Sequence, residues 1–192
     1  MAGNFPQVWL VRHGETEWSR AGQHTGRSDI PLTSKGESDA SALKPRLSQH
    51  TFAKIMCSPL RRARQTCELA GFGDVFETDE NLLEWNYGEY EGQRTAEIRM
   101  QHPGWNAFEH GCPGGENLSD VTVRAERFIA AVRDLNADIL VFAHRDILRV
   151  IAARWVNLPA MAAQRLYMDP ASISILGYDH SLQEPILRTL NT

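Results

Sequence analysis

An arginine and a histidine stand together where an apolar run ends near the start of the chain. Residues 8–11 are apolar, and Arg12, His13 and Gly14 follow them directly. In open α/β sheets, ligands bind at the carboxyl ends of the strands. A neutral imidazole beside a guanidinium suits attack on a phosphoryl group, because the cation offsets the oxygens that would repel a nucleophile. These residues predict that His13 is a nucleophile in an anion-binding site. The alternative interpretation is a turn that happens to carry a histidine, because short motifs also occur by chance.

Other segments bring residues of matching chemistry. The apolar run 139–143 ends at His144, and the run 54–57 is followed by a helix start that carries Arg62. Glu84 lies in a loop among aromatic residues, where desolvation would raise the pKa of its carboxyl group towards that of a general acid. Together these residue types are the ones that phosphoryl transfer requires.

Hydrophobic periodicity predicts alternating strands and helices. We expect strands at 7–12, 54–57, 75–77, 139–143, 172–178 and 186–190. We expect Ser34, in a capping box with Glu37, to open one helix and Asp146 to cap another, and we expect further helices at 59–70, 93–101 and 119–135, with loops at 14–33 and 102–118. Pro45 should interrupt the first helix. This alternation predicts an α/β fold, a three-layer α/β/α sandwich with a mostly parallel sheet, in one domain over residues 1–192.

Composition limits the classes of function. The net charge of -4 argues against general nucleic-acid binding, whereas a local cationic pocket remains compatible with it. Cys57, Cys67 and Cys112 form no CxxC pair, which favours reduced thiols in a cytoplasmic protein. The start of the chain has no signal-peptide pattern, and no apolar segment reaches membrane-spanning length, so we expect no membrane partner.

The ordered motifs resemble those of the histidine phosphatase superfamily, the phosphoglycerate-mutase-like group. The resemblance covers Val8 to about Tyr178 and rests on the segments 12–14, 25–33, 58–63, 84–88, 115–116 and 143–144. It implies a phosphoglycerate-mutase-like fold. The segment 17–26 is most similar to the sugar-bisphosphatase and broad acid-phosphatase branch, typified by fungal sedoheptulose bisphosphatase.

We expect five residues to take part in the reaction. We expect His13 to attack phosphorus, and Glu84 to protonate the leaving alkoxide and then deprotonate water. Arg12, Arg62 and His144 would bind the phosphoryl oxygens. The family pattern selects Arg62, and its neighbours Arg61 and Arg64 are interpreted as a solvated helix face.

The resemblance also implies substrate contacts. Thr25, Gly26, Tyr87 and Arg124 match contact positions of the bisphosphatase branch, although Arg124 could equally be a surface arginine. Ser19 stands where many relatives have asparagine, and offers a hydroxyl to the phosphate.

Two neighbouring residues depart from the pattern of relatives. Arg145 and Asp146 follow His144 where relatives usually have glycine and a small residue or histidine, so two long side chains could narrow the site or add a positive charge. The remaining histidines show no metal-ligand spacing and are interpreted as incidental: His24, His50, His102, His110 and His180.

The leading hypothesis is a metal-free and cofactor-free phosphatase that acts on small phosphorylated metabolites through phosphohistidine. A phosphoglycerate mutase, a metal-dependent hydrolase and a phosphoprotein-binding module are the alternatives, and joint presence of His13 and Glu84 disfavours the last. The loop 102–115 is short for a sealed lid, and its Trp105 is a candidate sugar contact at the rim. The sequence leaves the oligomeric state open, a homo-oligomer included.

Overall fold

A six-stranded sheet forms the centre of the protein. The computed structural model describes residues 5–192. The strands lie in the order β3-β2-β4-β1-β5-β6, with β1 at Val8–Arg12, β2 at Lys54–Cys57, β3 at Phe76–Thr78, β4 at Ile139–Ala143, β5 at Ile173–Tyr178 and β6 at Pro185–Thr189. The neighbours β3, β2, β4 and β1 are parallel, whereas β5 runs antiparallel to both β1 and β6. The predicted mostly parallel sheet is confirmed.

Helices connect the strands. The α-helices are α1 at Glu17–Ala21, α2 at Ser34–Ala42, α3 at Lys44–Leu47, α4 at Arg61–Cys67, α5 at Thr95–Gln101, α6 at Ala107–His110, α7 at Leu118–Leu135 and α8 at Arg145–Trp155. Short 3₁₀ turns lie at Glu80–Leu82, Gly88–Tyr90 and Ala160–Arg165, and a π turn at Glu68–Phe72 follows α4. No helix within residues 5–192 is both long and apolar enough to cross a membrane.

Each face of the sheet is covered by its own group of helices. Because side chains alternate along a strand, Leu10 of β1 points to one face and Val11 to the other. Leu10 belongs to the core cluster formed with α7 and α8, which includes Phe128 and Ile147. Val11 belongs to the cluster with α3, α4 and Leu43, the residue between α2 and α3, and this cluster includes Leu47. The three-layer α/β/α sandwich is therefore confirmed.

Several helix caps and starts differ from the prediction by one or two residues. The cap of α2 is Thr33 instead of Ser34, since its Oγ1 accepts from the N–H of Gly36 at 3.0 Å. The helix α4 begins at Arg61 instead of residue 59, with Leu60 at the cap. The helix α8 begins at Arg145 with His144 at the cap, so Asp146 lies inside its first turn and does not cap it.

Two other local expectations have different outcomes. The predicted interruption at Pro45 is confirmed, because α2 ends at Ala42 and Pro45 lies in the first turn of α3, where no helical hydrogen bond is lost. The predicted loop 102–118 contains the one-turn helix α6, which Asn106 caps by accepting from the N–H of Phe108 at 3.0 Å.

Candidate active site

The register of the central strands brings the two motif histidines together. Arg12 at the end of β1 lies opposite Ala143 at the end of β4, and the N–H of His13 donates to the carbonyl of Ala143 at 3.0 Å. The next residues along these parallel strands are His13 and His144, whose ring centroids are 5.1 Å apart. The pairing of β1 with β4 therefore places both imidazoles at one edge of the sheet.

The His13 ring is held in one tautomer. Its Nδ1 lies 2.7 Å from the carbonyl oxygen of Gly14, and since a carbonyl only accepts, Nδ1 carries the proton. Burial, with the nearby Arg62 and Arg12, keeps the pKa of His13 well below its usual value. The imidazole is therefore neutral, and Nε2 has a free lone pair.

Close backbone packing fixes the turn after His13. A Cβ added at Gly14 would lie 2.5 Å from the carbonyl oxygen of Gly36, and one added at Gly36 would lie 2.2 Å from the carbonyl oxygen of Glu15. The N–H of Gly14 also donates to Oγ1 of Thr66 at 3.0 Å. The first turn of α2 thus packs directly on the backbone beside the nucleophile, which only glycine permits.

Arg12 borders the cleft with part of its hydrogen-bonding capacity unused. Its Nη1 donates to the carbonyl of Met168 at 2.7 Å, whereas its buried Nε has no acceptor among the described residues. Burial, with the positive charge of Arg145, lowers the pKa of Arg12 to about 10, so the guanidinium is cationic at neutral pH. It offers charge to an anion in the cleft.

Each nitrogen of the Arg62 guanidinium group donates a hydrogen bond within the protein. Its Nε donates to Nδ1 of His144 at 3.1 Å, and its terminal nitrogens donate to the carbonyls of Ser28 and Gly26, each at 2.9 Å. The residue is 0% exposed and lies behind the cleft. Its neighbours Arg61 and Arg64 are exposed, as the interpretation of a solvated face predicted.

His144 lies behind the cleft with Arg62. Because Nδ1 accepts from Arg62, the proton is on Nε2, which donates to Oγ of Ser58 at 2.7 Å. Burial and the charge of Arg62 hold the pKa of His144 well below its usual value. Both ring nitrogens are therefore paired, so direct contact of His144 and Arg62 with phosphate stays a prediction.

Glu84 is held at the start of α8. Its Oε1 accepts from the N–H groups of Trp85 at 2.9 Å and Ile147 at 3.1 Å, and its Oε2 accepts from the N–H of Asp146 at 3.1 Å. Burial and the nearby Asp146 carboxylate raise the pKa of Glu84. The raised pKa is the direction expected for a general acid.

Asp146 is the centre of a buried polar network. Its carboxylate accepts from the hydroxyl of Tyr87, from Nε of Arg145 at 3.1 Å and from Nη1 of Arg149 at 2.7 Å. Burial opposes ionisation, but Arg145 and Arg149 hold the pKa of this carboxyl well below its usual range. The group is therefore a fixed negative charge next to Glu84.

A cleft of about 540 Å³ unites the reactive groups. Arg12, His13, Glu84 and Arg145 all line it. The rest of the lining consists of polar and aromatic residues, namely Ser19, Gly22, Gln23, His24, Thr25, Tyr87 and Thr95. The predicted nucleophile and the predicted acid therefore share one open space with two guanidinium groups.

The predicted substrate contacts divide into two groups. Ser19, Thr25 and Tyr87 line the cleft. The Ser19 hydroxyl already serves the capping box of α1, because it donates to the carbonyl of Thr16 at 3.0 Å. Tyr87 directs its hydroxyl to Asp146, so its ring is what faces the cleft.

Gly26 and Arg124 do not line the cleft, so their contact with substrate stays a prediction. A Cβ on Gly26 would lie 2.4 Å from the carbonyl oxygen of Trp85, so this glycine is needed where the chain delivers a carbonyl to Arg62. Arg124 binds Glu116 with Nε and Nη2 at 2.8 and 3.1 Å and donates to the carbonyl of Asn81 at 2.9 Å. It links α7 to the loop that leads to Glu84.

His24 was missed as a site residue. It lines the cleft, its ring centroid lies 4.4 Å from that of Tyr87, and its Nε2 lies 3.1 Å from Oγ1 of Thr95. Burial lowers the pKa of His24 to about 4. The available signal was its position directly before the Thr25-Gly26 motif. Trp105, expected as a sugar contact at the rim, is largely buried, donates from Nε1 to the carbonyl of Gly111 at 3.0 Å and lines a depression beside the cleft, so its contact with a sugar stays a prediction.

A group of potential metal ligands lies outside the cleft. Within residues 5–192, Asp179, His180 and Glu184 form the one group of three such side chains, which is exposed between β5 and β6 and does not line the cleft.

The sequence profile of the histidine phosphatase superfamily (branch 1) matches residues 8–191. The chain belongs to this superfamily. An acid phosphatase of Mycobacterium tuberculosis is 38% identical over 93% of the chain and 89% of that protein. The sedoheptulose 1,7-bisphosphatase of Saccharomyces cerevisiae is 36% identical over 80% of the chain and 68% of that protein.

Further comparisons extend the relationship. A Shigella boydii protein named "Probable phosphoglycerate mutase GpmB" is 32% identical over 92% of the chain and 86% of that protein. The solved structure of the open reading frame Rv3214 product from Mycobacterium tuberculosis superposes with a TM-score of 0.91 at 36% identity, over 97% of each chain. The phosphoglycerate-mutase-like fold and the assignment to the histidine-type phosphatases are thereby confirmed.

Proposed function

We propose that the protein hydrolyses phosphate monoesters of small metabolites, sugar phosphates or bisphosphates, through a phosphohistidine on His13. One observation carries this proposal. The Nδ1–H of His13 is committed to the Gly14 carbonyl, so the unprotonated Nε2 is available in the cleft that Arg12 and Glu84 also line. A nucleophile, a phosphate-binding cation and an acid with a raised pKa are the minimum set for this chemistry.

In the first step, Nε2 of His13 attacks phosphorus, so an N–P bond forms while the P–O bond to the leaving group breaks. The proton of Glu84 passes to the departing alkoxide oxygen, which leaves as an alcohol. Arg12 offsets the charge of the phosphoryl oxygens directly. Arg62 adds positive charge from behind the cleft and orients His144 through the 3.1 Å hydrogen bond.

In the second step, water attacks the phosphohistidine. Glu84, now ionised, takes a proton from this water while the O–P bond forms and the N–P bond breaks. Its three backbone N–H donors stabilise the carboxylate between the two steps. Inorganic phosphate leaves, and His13 returns to the neutral tautomer that Gly14 holds.

The substrate class rests on the relatives and on the cleft. Relatives at 38% and 36% identity carry the names acid phosphatase and sedoheptulose 1,7-bisphosphatase. The cleft is lined mainly by polar side chains beside two guanidinium groups, which suits a hydroxylated phosphate ester better than an apolar one.

A phosphoglycerate mutase is the second candidate, because a relative at 32% identity carries that name. A mutase must keep water from its phosphohistidine while the intermediate reorients. The segment between α5 and α7 packs Trp105 and Phe108 into the hydrophobic core, so these side chains do not cover the cleft. This arrangement favours hydrolysis.

The test measures whether the phosphoryl group is transferred from the substrate to His13. The protein should form an acid-labile phosphoenzyme when a radiolabelled sugar phosphate is mixed with it in EDTA and quenched without acid. His13→Ala should abolish both the label and turnover, whereas the matched change His180→Ala at an exposed position should retain them. Substantial turnover by the His13 variant, or activity that needs an added metal, contradicts the proposal. Isomerisation of 3-phosphoglycerate with 2,3-bisphosphoglycerate that outruns phosphate release would identify the mutase instead.

A further inference from the structure

A second depression adjoins the cleft. It measures about 550 Å³ and shares His24, Tyr87, Thr95 and Arg145 with the cleft, so the two spaces are contiguous. Its far side is formed from α5, α6 and α8. We call this depression the distal pocket.

The distal pocket is strongly cationic. Arg99, Arg145 and Arg149 line it, and Asp146 is the one carboxylate that lines it within residues 5–192. His24 is neutral at physiological pH, since burial lowers its pKa to about 4. Three guanidinium groups against one carboxylate leave an excess of two positive charges, in a chain whose net charge is -4.

Arg145 and Arg149 share a single carboxylate, whereas Arg99 has none within residues 5–192 of the pocket lining. Asp146 accepts from Nη1 of Arg149 at 2.7 Å and from Nε and Nη2 of Arg145 at 3.1 and 3.5 Å, so one negative charge offsets two guanidinium groups and leaves one positive charge in surplus. The Arg145 side chain is 38% exposed, compared with 11% for Arg149, and is therefore the more accessible of the two to a ligand. Arg99 is exposed and donates from Nε to the carbonyl of Trp105 at 2.8 Å, which leaves its terminal nitrogens for a ligand.

We propose that the distal pocket binds a second phosphate group of the substrate while the first lies at His13. This inference rests on the function proposed above. A phosphate dianion matches two surplus guanidinium charges, whereas a carboxylate supplies half of that charge. The shared residues Arg145, His24 and Tyr87 border both spaces, so one molecule can occupy both. Arg145 thus becomes a specificity-determining residue for bisphosphates.

The experiment measures how the protein discriminates between matched substrates. We would compare kcat/KM for straight-chain diol bisphosphates, from propanediol to hexanediol, with kcat/KM for the monophosphates of the same diols. The bisphosphate should be preferred about 10- to 100-fold at the chain length that spans both spaces, the range expected for charge-assisted hydrogen bonds. A bisphosphate preference with an optimum at one length supports the proposal.

Four variants show where the effect arises. Arg145→Gln and Arg99→Gln should each reduce the bisphosphate-to-monophosphate ratio about tenfold or more, and Arg145→Lys should restore part of it by keeping the charge. Arg64→Gln removes the same charge from an exposed site on α4 and should leave the ratio within about twofold. Arg99 does not line the cleft, so its effect on the ratio cannot arise from disturbed catalysis.

Failure of this inference is distinguishable from failure of the proposed function. Hydrolysis of nitrophenyl phosphate and of the monophosphates, without preference for any bisphosphate, overturns the second phosphate site alone. Equal losses on both substrate types in the Arg145 and Arg99 variants overturn it too, as does a stronger preference for phosphoglycerates than for bisphosphates. Absence of phosphate release from any ester overturns both proposals.

Discussion

Glu84 experiences opposing influences that suit a group which gives and regains a proton. Burial and the Asp146 carboxylate favour the protonated form and raise its pKa, whereas the N–H groups of Trp85, Asp146 and Ile147 stabilise the ionised form. Neither protonation state is therefore left without support. The consequence is an acid that can protonate a leaving group and then persist as a base.

Replacement of Glu84 by glutamine should expose this role. Glu84→Gln keeps the shape and one of the two acceptor oxygens but cannot act as the acid, so turnover of alkyl phosphates should fall about a hundredfold or more. The loss should be much smaller with nitrophenyl phosphate, whose leaving group needs little protonation. Steady-state kinetics with both substrates provide the measurement. An equal loss on both would mean that Glu84 only positions its loop.

The pH profile of kcat/KM should report the same residue. Since Glu84 must be protonated to act as the acid, activity on alkyl phosphates should decline as pH rises through its raised pKa. His13 must be neutral, and because its pKa is well below the usual value, its protonation limits activity only at acid pH. The alkaline decline should weaken with nitrophenyl phosphate. A decline of equal steepness with both esters would contradict the assignment.

Among the structural elements, α7 supports the acid loop from outside the cleft. Arg124 and Glu116 form a bidentate ion pair with side chains that are 10% and 15% exposed, and Arg124 also binds the carbonyl of Asn81. Glu116 in turn accepts from the N–H of Asn86 at 2.7 Å. The loop that carries Glu84 is therefore tied to α7 at several points.

Arg124→Met should destabilise the fold without altering substrate preference. The variant leaves the half-buried Glu116 with the more distant Arg27, at 3.6 Å, and removes the donor to the carbonyl of Asn81, which costs roughly 1–3 kcal/mol. Urea denaturation measures this loss, and the ratios of kcat/KM between substrates should stay constant among the remaining folded molecules. Arg127→Met, on the exposed face of the same helix, should change stability by less than about 0.5 kcal/mol. A stable variant with an altered substrate ratio would restore Arg124 as a substrate contact.

The sequence predicted best what depends on strands and on residue order. Apolar runs located the strands, and the residues after β1 and β4 proved adjacent because parallel neighbours end at one edge. Helix starts shifted because capping depends on which side chain reaches a free N–H, as Thr33 does in place of Ser34. The position of His24 in the cleft wall and the hydrogen bonds of Arg124 to the loop before Glu84 could not be predicted, because they depend on contacts between distant segments, as His24 with Tyr87 and Arg124 with Asn81 show.

For the whole molecule, the buried imidazoles link stability to pH. Burial lowers the pKa values of His13, His24 and His144 in the folded protein. Below about pH 6.5 the unfolded chain binds protons that these folded groups do not, so the free energy of unfolding should fall as pH falls. Glu84 has the opposite effect on the free energy of unfolding because its pKa is raised. It is one group, whereas three histidines make the free energy of unfolding fall as pH falls. Urea unfolding between about pH 7 and about pH 4 measures the slope.

A pair of variants isolates one contribution to that slope. His24→Gln should remove about one proton from the difference in uptake between the unfolded and folded states, and so flatten the pH dependence. Gln49→Asn changes an exposed residue without altering any titratable group and should leave the slope unaltered. Identical slopes in the parent protein and the His24 variant would show that His24 is not held neutral by the fold.

The groups that hold Glu84 in place differ from the side chains that are expected to select the substrate. Main-chain N–H groups of Asp146 and Ile147 hold the acid, while the side chains of Arg145 and Asp146 belong to the network beside the distal pocket. A substitution at either position retains the peptide N–H groups, unless it introduces proline. Substitution at position 145 can therefore change which ester is chosen while the acid keeps its place, whereas substitution of Asp146 also removes a charge that raises the pKa of Glu84. The first turn of α8 is thus a position where new specificities can arise without the loss of an ancestral reaction.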